Sequence, residues 1–132
     1  MRRRVLIVED EAIVADDLQH QILQLGYEVA GVTDSGREAI ALSNEKKPDV
    51  VLMDIQLQGA MTGTEAAKVI QESTGAAIIF VTAFAAIFVR DPSQMMSPGI
   101  CLSKPFSLAQ LRAALATATS DVRNAMPGNL HS

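Results

Sequence analysis

Tryptophan is absent from this chain, and there is one cysteine, Cys101. A single cysteine excludes an internal disulfide framework and fits a reducing compartment, so the protein is read as cytoplasmic. A long apolar run is also missing. Residues 75–89 carry no charge, but that stretch falls short of the roughly 18–20 residues that span a bilayer, and Thr82 interrupts it. The apolar residues Val5 to Val8 behind Arg2-Arg3-Arg4 are too few for the core of a signal peptide. No membrane insertion is expected. Nor is there a surplus of positive charge. A net charge of −4 argues against direct binding of nucleic acid, and the three arginines are read as solvating a strand entrance.

What is present is ordinary globular composition, 48% hydrophobic and 20% charged over 132 residues. That length makes one domain, able to bury roughly two-thirds of its unfolded surface without staples. No repeat or linker breaks it. The receiving unit is taken as residues 1–120, and residues 121–132, with Pro127 and Gly128, as a flexible C-terminal tail.

The chain is organised around Val50-Val51-Leu52-Met53-Asp54, four apolar residues running into one carboxylate. Such a run predicts a strand buried on both faces, as in a parallel sheet. Similar strands are expected at Arg4 to Val8, Glu28 to Val32, Ala77 to Val81 and Ile100 to Leu102. Helical patterns lie between them. Val14, Leu18, Ile22 and Leu25 share one helix face, with Gly26 as the stop. Ser35 with Glu38 opens a helix to about Asn44, Thr62 with Glu65 opens one to about Ser73, and Ser107 with Gln110 opens the last. Residues 85–99 hold Pro92 and Pro98 and show no clean period, so the helix there is expected to be shortened or irregular. Strands alternating with helices imply an α/β, doubly wound, five-stranded parallel sheet with helices on both faces.

In such a sheet the residues just past the strands share one edge, where ligands bind. They are Glu9 and Asp10, Asp54, Thr82, and Lys104. Singly, each has a plainer reading: a helix cap, a dipole partner, a turn residue, a solvated charge. Their joint occurrence at four strand ends points to a site. Like charges about 4 Å apart repel by roughly 4 kcal/mol at an effective dielectric of 20, so three carboxylates need more than one lysine. A hard divalent cation such as Mg²⁺ suits carboxylate, carbonyl and water ligands. One carboxylate, by position Asp54, can then act as nucleophile toward phosphorus. Glu11 is read as complementing a helix dipole and left out of the site.

Four motifs carry a resemblance over about residues 4–120: VLIVEDE at 5–11, VVLMDIQL at 50–57, IIFVTA at 78–83 and LSKPFS at 102–107. In this order and spacing the chain resembles the receiver domain of two-component response regulators, of the chemotaxis-receiver kind. The resemblance implies that Asp54 accepts a phosphoryl group from a histidine kinase or histidine phosphotransfer protein. It implies that Asp10, Asp54 and the backbone carbonyl of Gln56 hold Mg²⁺ with help from Glu9. It further implies that Thr82, Ala83 and Lys104 bind the phosphoryl oxygens, and that Pro105 follows the lysine through a cis bond. Phosphorylation would add charge, draw Thr82 in and switch a surface that controls a downstream protein.

The chain departs from the family pattern in three places. Cys101 stands where many receivers carry a switching Tyr or Phe, and is read as a small buried hydrophobe. Residues 84–99 do not follow the usual helix, and their start at Thr82-Ala83-Phe84 resembles receivers of alphaproteobacterial stress regulators. No output domain follows the last helix, which implies a single-domain regulator or an excised piece. Phe84 is expected to shield the phosphorus and prolong its lifetime. Two alternatives stand beside the phospho-acceptor. A pseudo-receiver would bind partners without phosphorylation, but such chains usually lose an acid, the Thr or the Lys. An aspartyl-nucleophile phosphohydrolase usually carries a second Asp where Gln56 stands, and needs a cap for which there is no room. The protein is therefore not expected to be an enzyme beyond phosphoryl transfer to itself and slow self-dephosphorylation.

Overall fold

The structure is a computed structural model that describes residues 2–57, 59, 61–83 and 100–124, the last five of these by backbone alone. The described chain runs β1 (Arg4–Val8), α1 (Ala12–Gln24), β2 (Glu28–Thr33), α2 (Gly36–Lys46), β3 (Val50–Asp54), α3 (Gly63–Thr74), β4 (Ala77–Thr82), β5 (Ile100–Ser103) and α4 (Leu108–Asn124). The expectations for an irregular helix at 84–99 and for Phe84 lie outside the described residues. The last helix continues to Asn124, past residue 120 where the tail was placed.

The five strands form one parallel sheet in the order β2-β1-β3-β4-β5. Successive side chains of a strand point to opposite faces, so the apolar runs feed two cores. Val5, Ile7, Val50, Leu52, Ile79 and Val81 face α1 and α4, meeting Leu18, Ile22, Leu111 and Leu115. Leu6, Val8, Val51, Met53, Ile78 and Phe80 face α2 and α3, meeting Ala39, Ala66, Ala67 and Ile70. Burial on both faces explains why β1, β3 and β4 lack polar alternation, while the edge strands β2 and β5 are mostly half-buried. No helix among the described residues is long and apolar enough to cross a membrane.

Local chemistry fixes the helix starts. Thr62 and Glu65 exchange side-chain bonds with each other's backbone N–H at 3.1 and 2.9 Å, and Ser107 and Gln110 do the same at 3.1 and 2.8 Å. At α2 the exchange is one-sided, with the Glu38 N–H donating to Ser35 Oγ at 3.0 Å. The ends differ more from the sequence pattern. α2 runs through Lys46 rather than stopping near Asn44, and Lys47 closes it in the left-handed region at φ 52°.

Candidate functional site

Sheet order reverses between β1 and β3, so the crevice beyond their carboxyl ends is the place a doubly wound fold offers to a ligand. Register then sets the residues. Val8 pairs Met53, Asp54 pairs Val81, and Thr82 pairs Ser103, which brings Glu9, Asp54, Thr82 and Lys104 to one edge. Backbone bonds continue past the strands: the Glu9 N–H donates to the Thr33 carbonyl at 2.9 Å, and the Lys104 N–H donates to the Thr82 carbonyl at 2.8 Å.

Three of the expected acids converge. Glu9, Asp10 and Asp54 each offer a carboxylate oxygen within 4.8 Å of the others. Glu9 and Asp54 are buried, 3% and 5% exposed, while Asp10 is half-buried. Lys104 enters from the far side. Its Nζ lies 3.0 Å from Glu9 Oε1 and 3.5 Å from Asp54 Oδ2. The Asp54 carboxylate is aimed by its own loop, because the Gln56 N–H donates to Asp54 Oδ1 at 3.0 Å. Thr82 sits at the end of β4, 2% exposed, and Ala83 beside it is exposed. The Lys104–Pro105 peptide bond is cis.

The electrostatics follow from that packing. Burial pushes the Glu9 carboxyl above its usual 4.5, and the Asp54 carboxylate beside it adds to the rise; hydrogen bonds from Lys104 and from the Glu11 backbone pull the other way without cancelling it. Burial by itself would lower the Lys104 ammonium. The hydrogen bond to Glu9 and the fields of Asp54, Glu9 and Glu11 outweigh it and leave Lys104 above 10.5. Carboxylates so placed are held together at a cost, and a hard cation relieves it; Glu9, Asp10 and Asp54 form a donor set that could hold one.

Glu11 stands at the N-cap of α1, as a dipole partner would, and it also reaches the edge of the site. Its Oε1 lies 3.9 Å from Lys104 Nζ, its N–H donates to Glu9 Oε2 at 3.1 Å, and at the N-cap of α1 its side chain makes no cap bond. The acids facing the lysine are therefore Glu9, Glu11 and Asp54. The spacing of Glu9 and Glu11 was the available signal, but a helix start explained it equally well. Cys101 lies half-buried against the α2–α3 core, and burial pushes its thiol up.

The chain is similar to known proteins over most of its length. The family model described as "Response regulator receiver domain" matches residues 5–116. The chain is 36% identical over 121 residues to the transcriptional regulatory protein PdtaR of Mycobacterium tuberculosis, covering 92% of this chain and 58% of that one. It is 32% identical over 119 residues to the phyllosphere-induced regulator PhyR of Methylorubrum extorquens, covering 89% and 44%. The chain thus spans about half the length of these relatives. Among solved structures, the signal receiver domain of a modulated diguanylate cyclase from Desulfovibrio desulfuricans superposes with a TM-score of 0.85 at 33% identity, covering 96% of this chain and all of that one. The response regulator PhyR of Brucella abortus gives 0.84 at 30% identity, covering 95% and 51%.

Proposed function

The chain belongs to the response regulator receiver domain family, and from that membership we propose that it is a cytoplasmic phospho-acceptor switch. Asp54 takes a phosphoryl group from the phosphohistidine of a kinase or phosphotransfer protein, and the change controls a downstream partner. Relatives bear the names of regulators, and the chemistry here is likewise a signal rather than turnover.

The observation that carries the reading is the joint approach of Glu9, Asp10, Asp54 and Lys104 at one sheet edge. An Asp54 carboxylate oxygen attacks phosphorus. The N–P bond breaks, its electron pair returns to the donor imidazole, which takes up a proton, and an acyl phosphate remains. Little covalent work falls to the protein in such a transfer; positioning and charge neutralisation dominate. The Gln56 N–H aims the nucleophile, and Lys104 faces the incoming phosphoryl oxygens, joined by the Thr82 hydroxyl and the Ala83 backbone. Asp10, Asp54 and the Gln56 carbonyl would hold Mg²⁺, with Glu9 assisting. Bound there, Mg²⁺ supplies positive charge to oxygens that would otherwise repel. The receiver unit is taken as residues 1–120.

A protein donor is favoured by the surface next to this edge. A groove of about 720 Å³ runs between α1 and the loop after β5, lined by Ile13, Val14, Leu18, Lys104, Pro105 and Phe106. Lys104 belongs both to the groove and to the acid cluster. A donor seated there reaches Asp54.

The test is incubation with a small acyl phosphate donor and Mg²⁺, reading intact mass. Wild type should gain one phosphoryl group and Asp54→Asn none. A wild type that gains nothing turns the reading to a pseudo-receiver.

A further inference from the structure

The chain returning from β3 into α3 passes closer to Asp54 than any side chain allows. A Cβ built on Gly63 would stand 2.0 Å from the Asp54 carbonyl oxygen and 2.9 Å from both the Asp54 carbonyl carbon and Ile55 Cα. All three are backbone atoms, so no side chain can swing aside. The reason for glycine is proximity, since Gly63 is not among the positive-φ glycines.

Neither partner yields easily. β3 is the central strand, hydrogen-bonded to β1 and β4 and buried at every residue. α3 is fixed by its Thr62–Glu65 capping box and by the fully buried Ala66, Ala67 and Ile70. Ile55 is the link between them. The Gly63 N–H donates to the Ile55 carbonyl at 3.1 Å, and the next amide along, that of Gln56, is the one that donates to Asp54 Oδ1. Moving the Asp54–Ile55 peptide moves the group that aims the carboxylate.

The geometry points to Gly63 as a positioning residue for phosphoryl acceptance. Its bare Cα lets the first turn of α3 seat against the Asp54–Ile55 peptide, and that seating fixes the Gln56 amide that orients the nucleophile. The inference rests on the reading of Asp54 as acceptor. Misplacing a reacting group by about 1 Å can cost on the order of 10²-fold in rate.

The experiment follows the intact-mass time course with a small acyl phosphate donor and saturating Mg²⁺ for wild type, Gly63→Ala and Thr62→Ala, with urea unfolding of each. Thr62→Ala weakens the same helix start but places no atom against Asp54. The expected result is phosphorylation slowed at least about tenfold in Gly63→Ala and near wild type in Thr62→Ala, even where their stabilities match. A wild-type rate in Gly63→Ala overturns the inference, as does equal slowing in Thr62→Ala. A wild type that gains no adduct overturns the acceptor reading instead. Should Gly63→Ala not fold, amide exchange in the wild-type protein decides. Protection of the Gln56 and Gly63 N–H groups supports the seating, and exchange at the rate of an open loop refutes it.

Discussion

Lys104 is the residue on which the balance of the acidic edge turns. Its ammonium lies 3.0 Å from Glu9, 3.5 Å from Asp54 and 3.9 Å from Glu11. Two of those acids are buried, so water cannot replace the ammonium without rearrangement. In metal-free protein at pH 7, Lys104→Met should cost about 2 kcal/mol, the scale of a hydrogen bond to a charged group lost from a site that cannot resolvate freely. The pH dependence has a definite sign. The folded pKa of Glu9 is raised above 4.5, so stability linked to it is fully present below that value and is lost as pH rises through the folded pKa. The Lys104 bond opposes that rise, and removing it lifts Glu9 further. The deficit of Lys104→Met should therefore be largest near neutrality and smaller at pH 5, in the direction that favours the protonated Glu9. Urea titrations in chelator at the two pH values measure it, and a pH-independent deficit would contradict the assignment. The sequence made Glu9, Asp10, Asp54 and Lys104 visible because each follows an apolar strand directly. It hid Glu11 and Gly63, whose contacts are made through space to residues of other elements.

Helix starts were legible at the scale of the element because a capping box is written within four residues. Thr62 with Glu65 and Ser107 with Gln110 both form it in full. The inner strands β1, β3 and β4 were legible for a related reason: burial on both faces leaves an unbroken apolar run. The helix ends were less so. α2 ends on Lys47 at φ 52° with its N–H donating to the Ser43 carbonyl, a position where glycine is the usual signal and none is present. A Cβ in that region costs conformational energy that glycine avoids. Lys47→Gly should accordingly stabilise the protein by about 0.5–1 kcal/mol, the gain left after the glycine's extra unfolded-state entropy is subtracted. Thermal or urea unfolding reads it. A destabilised variant would show that the lysine side chain contributes more than its backbone strain costs.

For the molecule as a whole, the groove beside the site could not have been read in the sequence, and it is where the proposed function would seat a protein donor. Its walls come from residues 13–21 and 104–106, which only the fold brings together. Ile13 stands on one wall, 85% exposed, an apolar side chain left in water on the first turn of α1. Asp16 and Asp17 line the same groove, while Lys104 is already engaged by Glu9 and Asp54. The surface thus suits a donor helix with apolar side chains flanked by basic ones. Burying an isoleucine side chain is worth about 1.5–3 kcal/mol, and each 1.4 kcal/mol is about tenfold in affinity. Ile13→Asp should then slow phosphoryl transfer from any histidine phosphotransfer protein that serves the wild type by about tenfold or more. Phosphorylation by a small acyl phosphate should stay unchanged, since Ile13 stands on the groove wall and is not one of the groups that form the acid cluster. Unequal loss with the two donors places the docking contact on α1; equal loss would mean that Ile13→Asp disturbs the acceptor edge itself, and no loss would move the donor to another face.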